Sequence, residues 1–133
     1  MTVLDTSVVI DLLLADGVAD QAGAILTAEG PAAAPDLLVF EVLAVLRRHA
    51  LRGDLSVERA HGALDDLGDL PVELFPSLTL RQRAFELRMN LTAADALFVA
   101  LAERLAEPLV TKDAGLAATA GEHTAVDVVL LSA

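Results

Sequence analysis

Residues 31–53, PAAAPDLLVFEVLAVLRRHALRG, read as one strand–helix unit. The run Ala32–Ala34 fits a short buried strand. Pro35-Asp36 then opens a helix from Leu37 to Arg52, with Asp36 as its simplest N-cap. Gly53 stands where a left-handed C-terminal cap is favoured. Inside this helix Glu41 is surrounded by LLVF and VLAVL. An ionised carboxylate in apolar company loses several kcal/mol or more of hydration, so Glu41 needs a reason to be there. It lies too deep in the helix to be a cap; the bland alternatives are a buried ion pair or a misjudged exposed face.

The same alternation continues in both directions. Upstream, Thr2–Leu4 is a strand candidate, Ser7–Leu14 a helix, and Ala19–Glu29 a second helix stopped by Gly30-Pro31. Downstream, Ser56–Leu67 is helical, Val72–Phe75 between Pro71 and Pro76 is a strand, and Thr79–Met89 is helical. Thr92 starts a helix reaching about Ala106; Leu109–Thr111 is a strand, Ala114–Ala120 a short helix, and Val126–Leu131 a last strand. Short strands separated by helices predict an α/β domain with a mainly parallel sheet, its strands buried on both faces.

Composition bounds the rest. The 133 residues suit one domain, 1–133, and no repeat or linker divides them. Ala (25) and Leu (26) supply most of a core that is 55% hydrophobic overall but only 3% aromatic, a helix-favouring balance. No stretch free of Asp, Glu, Lys and Arg exceeds eight residues. A spanning helix needs roughly 20 apolar residues, so no membrane span is expected. MTVLDTSVV has no basic region ahead of its apolar run, and there are no cysteines. A cytoplasmic protein without disulfides, thiolate metal sites or a Cys nucleophile is expected. The net charge of −11 argues against a basic nucleic-acid binder of the usual kind.

The chemistry rests on four carboxylates in unusual positions. Asp5 ends the first strand, Glu41 interrupts an apolar helix, Asp95 is the only charge between Met89 and Ala102, and Asp113 closes LVTKD. Three have capping readings: Asp5 or Ser7 for the first helix, Asp113 for the last, and Thr92-Ala-Ala-Asp95 as a capping box. Together they favour function, because Asp5 and Asp113 fall at the carboxyl ends of parallel strands, the edge where open α/β sheets bind ligands. Carboxylates gathered there repel one another unless a cation offsets them. Oxygen donors without Cys or a His cluster select Mg²⁺ or Mn²⁺, ions suited to phosphodiester hydrolysis. His49, His61 and His123 share no ligand spacing.

The segments VLDTSVVIDLL (3–13), PDLLVFEVLAVLRR (35–48), LTAADALFVALAERL (91–105) and LVTKDAGL (109–116) resemble, in order and spacing, the four acidic motifs of PIN-domain ribonucleases, in particular the VapC-type toxins of bacterial toxin–antitoxin pairs. The resemblance spans essentially the whole chain. It implies a three-layer α/β/α PIN-like domain, a homodimer, and RNA cleavage leaving a 3′-hydroxyl and a 5′-phosphate. It also implies inhibition by a VapB-type antitoxin. It assigns Asp5, Glu41, Asp95 and Asp113 to a Mg²⁺ site, with Asp5 and Asp95 as direct ligands. Thr6 or Ser7, and Thr111, fall where the family places supporting hydroxyls.

RNA binding by so acidic a chain depends on local charge, since charges beyond roughly 8 Å are screened at physiological salt. Residues 1–41 hold seven acids and no Lys or Arg; the arginines cluster at Arg47, Arg48 and Arg52 and at Arg81, Arg83 and Arg88. Arg48 and Arg52 share Glu41's helical stripe, roughly 10 and 16 Å along it, and are candidates for holding substrate phosphates. Their bland reading is solvated residues that complement the helix dipole. Asp11 is expected to be exposed, and Lys112, the only lysine, is expected to point away from Thr111 and Asp113. The rival readings are a phosphoacceptor receiver domain, which lacks its acidic pair and middle-strand Asp here, and a non-catalytic PIN-like scaffold or dimerisation module.

Overall fold

A computed structural model describes residues 1–133. Five strands form one sheet in the order β3-β2-β1-β4-β5: β1 (Val3–Leu4), β2 (Ala32–Pro35), β3 (Val72–Phe75), β4 (Leu109–Thr111) and β5 (Val128–Leu130). Every pairing is parallel. Seven helices fill the crossovers: α1 (Thr6–Leu14), α2 (Ala19–Glu29), α3 (Leu37–Arg52), α4 (Val57–Asp69), α5 (Arg81–Glu86), α6 (Ala93–Leu105) and α7 (Ala114–His123). α6 packs on β1, β2 and β4 with α5 beside it, while α1 touches β4 and gathers α2, α3 and α4. The result is the expected three-layer α/β/α fold.

β1, β2 and β4 are buried at every position, as central strands of a parallel sheet must be. The edge strands differ: β3 and β5 are half-buried to exposed, so burial on both faces holds only for the centre. Ala32–Ala34 are all completely buried, their small side chains lying where α6, which carries the large buried Phe98, packs on β2.

Local chemistry sets the boundaries. α3 runs from Leu37 to Arg52 and stops at Gly53, whose φ of 84° is left-handed. Ser56 and Thr92 accept hydrogen bonds from Arg59 N and Asp95 N, starting α4 and α6. Two expectations fail. Asp36 does not cap α3: its backbone is itself helical (φ −63°, ψ −15°), and its Oδ1 accepts from the amide and hydroxyl of Ser77 instead. Those bonds hold the Asp36 carboxyl below the usual range. The helix expected over Thr79–Met89 is broken into a 3₁₀ turn (Ser77–Leu80), α5, and a further turn at Leu87–Asn90.

α3 also explains the surroundings of Glu41. It buries Leu38, Val42 and Leu46, but exposes Phe40 (67%) and Leu51 (70%). The apolar residues around Glu41 therefore form two faces, one in the core and one on the surface.

Candidate active site

Parallel pairing of β1 with β4 in the register Val3↔Leu109 and Leu4↔Val110 delivers Asp5 and Thr111 side by side at the carboxyl edge. Asp5 occupies the N-cap position of α1, yet its side chain makes no cap bond. Its Oδ2 accepts from Ser7 Oγ at 2.9 Å and from Thr111 Oγ1 at 2.8 Å. Both bonds fall on one oxygen, so Oδ1 remains without a protein partner. Thr111 is fully buried, and its oxygen also accepts the Asp113 amide at 3.0 Å. One hydroxyl thus fixes both Asp5 and the backbone of Asp113.

Thr6, the next residue, donates to Glu41 Oε1 at 2.5 Å and ties α3 to α1. That bond aims Glu41 toward the end of β1. Asp95 sits in the first turn of α6 with its carboxyl half-buried. Its pKa is raised above the ordinary aspartate value, first by desolvation, then by repulsion from Asp5 and Asp113, with a lowering by the Thr92 hydroxyl that outweighs the weaker repulsion from Glu41. The three other acids are therefore all within electrostatic reach of Asp95. Asp113 lies at the exposed rim, and its Oδ1 accepts from Leu116 N at 3.0 Å. It therefore caps α7.

No Lys or Arg forms an ion pair with any of these four acids. Nor do any three His, Asp or Glu side chains converge closely enough to hold a metal ion by themselves, so an ion here would take part of its coordination from water. An oxygen-only, negatively charged and partly open donor set fits a hard cation that keeps several waters, as Mg²⁺ does when held by one or two carboxylates.

Arg48 and Arg52 lie outside this cluster. They line a groove of about 710 Å³ on α3 with Phe40, Leu43, Ala44, Arg47 and Leu51. Arg52 is engaged by Asp54 at 3.6 Å, whereas Arg48 makes no ion pair. In the second basic group Arg83 is bound by Glu103 and Glu86, which raise its pKa.

Asp11 reverses the expectation of exposure. It is 8% exposed, and its Oδ2 accepts from Val18 N at 2.9 Å and Lys112 Nζ at 2.6 Å. Burial and partner were hidden because Lys112 is 101 residues away. The available signal was the uniqueness of that lysine beside two site residues.

A parallel sheet in this order, with four acids at its carboxyl edge, defines a small acid-site α/β domain. The sequence profile of the PIN domain matches residues 2–122, and the chain belongs to that family. Its relatives are more particular: it is 41% identical over 120 residues to Ribonuclease VapC1 of Mycobacterium tuberculosis, covering 90% of each chain. It is 38% identical over 129 residues to Ribonuclease VapC9 of the same organism, covering 97% of this chain and 98% of that one. The crystal structure of PAE2754 from Pyrobaculum aerophilum shares the fold, with a TM-score of 0.67 at 22% identity over 96% of this chain and 81% of that one. A chain of a toxin–antitoxin complex from Klebsiella pneumoniae does so with a TM-score of 0.64 at 20% identity, covering 85% of this chain and 87% of that one.

Proposed function

We propose that this protein is a Mg²⁺-dependent endoribonuclease, the toxin of a toxin–antitoxin pair, working in the cytoplasm. The observation that carries the reading is the hydroxyl network of Thr6, Ser7 and Thr111, which holds Glu41, Asp5 and the Asp113 backbone at one edge of the sheet beside Asp95, with no basic side chain paired to any of the four acids. The ribonuclease names of its mycobacterial relatives and the Klebsiella toxin–antitoxin neighbour agree with it.

Asp5 and Asp95 would hold Mg²⁺, or Mn²⁺ in its place. Bound there, the ion would supply positive charge to a phosphodiester oxygen and acidify a water. Asp5 offers its unpartnered Oδ1, while the hydroxyls of Ser7 and Thr111 keep the carboxylate from rotating. Glu41, held through Thr6, is placed to accept a proton from the attacking water. Asp113 completes the anionic set at the rim, where substrate and solvent enter. In-line attack would leave a 3′-hydroxyl and a 5′-phosphate. Arg48 is free to pair with RNA phosphates along α3, and Arg52 can join it by leaving Asp54.

The exposed apolar residues of α3 and α5, including Phe40 (67%), Leu51 (70%) and Phe85 (65%), are more than an isolated acidic enzyme needs on its surface. A homodimer contact and a VapB-type antitoxin would cover such surface.

The test is cleavage of a random single-stranded RNA pool by antitoxin-free protein with Mg²⁺. Wild type cleaves, and Asp5→Ala, folded by circular dichroism, does not. Absence of cleavage by the wild type would return the protein to a non-catalytic scaffold.

A further inference from the structure

The chain's single lysine is bound at both ends to one helix. Lys112 N donates to Ser7 Oγ at 3.4 Å, and Lys112 Nζ donates to Asp11 Oδ2 at 2.6 Å. Ser7 and Asp11 are one turn apart on the same face of α1. Lys112 thus straddles a full turn of α1 and seats the β4–α7 connection on it. The residues on either side belong to the acidic site: Thr111 bonds Asp5, and Asp113 takes its place through its amide bond to Thr111. The receiving end is built to stay fixed. Asp11 is also held by Val18 N, and Gly17, at a φ of 50°, lies so close that a β-carbon there would stand 2.1 Å from Asp11 Oδ2. The side chain of Asp11 is 11% exposed and that of Lys112 35%. Lys112 carries the positive charge nearest the acids in sequence, yet it is spent on Asp11 rather than on any of the four.

We propose that Lys112 is a positioning residue for the acidic site. Its clamp on Asp11 sets the angle at which β4 hands Thr111 and Asp113 to Asp5, and keeps the ammonium from neutralising the cation-binding carboxylates. The inference rests on the metal-site reading above, but its geometric half stands apart from catalysis. It is tested on the full chain with Lys112→Met, Lys112→Arg and the neutral pair Asp11→Asn/Lys112→Met. The double variant covers the case in which an unpaired Asp11 prevents folding.

Three measurements are needed: amide hydrogen exchange at Asp113 in the metal-free protein, Mn²⁺ affinity by electron paramagnetic resonance, and kcat and KM on the RNA pool. Partners that orient metal ligands are typically worth about 10–100-fold. Lys112→Met and the neutral pair are therefore expected to accelerate Asp113 exchange, weaken Mn²⁺ binding about 10-fold and lower kcat with KM for RNA little changed. Lys112→Arg is expected to recover most of each loss. Wild-type exchange and Mn²⁺ affinity in the Met variant and the neutral pair would overturn the proposal, even with a lowered melting temperature, because the pair would then be a structural tie only. If wild type binds no Mn²⁺ and cleaves nothing, the nuclease reading fails, while Asp113 exchange still decides the clamp.

Discussion

Replacing Thr111 with valine tests how the site is held, because the change removes a hydroxyl and almost no volume. Thr111 is fully buried, donates to Asp5 Oδ2 at 2.8 Å and accepts the Asp113 amide at 3.0 Å. A hydrogen bond to a charged group contributes about 1.5–3 kcal/mol net, and a stranded buried donor costs about 1–3 kcal/mol. The Asp113 end is at the exposed rim, where water can replace the lost partner, so its share belongs at the low end. Burying a methyl in place of the hydroxyl returns about 0.8 kcal/mol. The expected net loss is about 2–3 kcal/mol at neutral pH. With a urea m-value of about 2 kcal/mol/M, the midpoint should fall by about 1–1.5 M. Far-UV circular dichroism is the suitable probe, since the chain has neither Trp nor Tyr. Thr111→Ser keeps both hydrogen bonds and loses only a methyl, about 1 kcal/mol. A valine variant as stable as wild type, or more stable than the serine variant, would refute the role given to this hydroxyl.

Asp95→Asn should stabilise the metal-free protein while abolishing cleavage. The folded-state pKa of Asp95 is raised, so folding binds an extra proton between the unfolded value and the raised one. Its contribution is most favourable in acid, declines as pH rises through that interval, and stays at its lower level above it. Urea melts across pH should show that decline in wild type and a flatter profile in Asp95→Asn; identical profiles would contradict the electrostatic cluster. Gly17→Ala forces a β-carbon onto Asp11 Oδ2 at a positive φ, and should cost about 1–3 kcal/mol by thermal melting. Replacing Arg48 and Arg52 with Ala should weaken RNA binding and lower its log–log salt slope by about 0.7 per lost phosphate contact, with Mn²⁺ affinity unchanged. An unaltered slope would remove both from the substrate path.

Where a signal is local, the chain announces it. α3 ends at Gly53, β3 lies between two prolines, and α6 starts at Thr92, each where the sequence places it. The four acids stand out for the same reason, being charges set in apolar segments. What escaped depends on partners distant in sequence. Asp36 fits a cap by composition, but its carboxylate goes to Ser77 on another crossover. Asp11 looks exposed on a short helix until the Gly17-Val18 turn folds against it and Lys112 reaches it. The apolar run of α3 cannot say by itself that only part of it faces the core, because hydrophobicity does not distinguish burial in the fold from burial against a partner. The Thr79–Met89 segment has helical composition, yet the chain turns twice within it to bring Leu80 and Leu87 into the core.

The pairing of β1 with β4 also governs when the site can exist. Asp5 lies next to the start of the chain, whereas Thr111 and Asp113 come 106 and 108 positions later. Their register is set by the central strands, so the acid set closes only once those strands have paired. A chain still emerging from the ribosome carries Asp5, Glu41 and Asp95 without the strand that orders the first of them. Synthesis must pass Asp113 before Thr111 can hold the Asp5 carboxylate beside it.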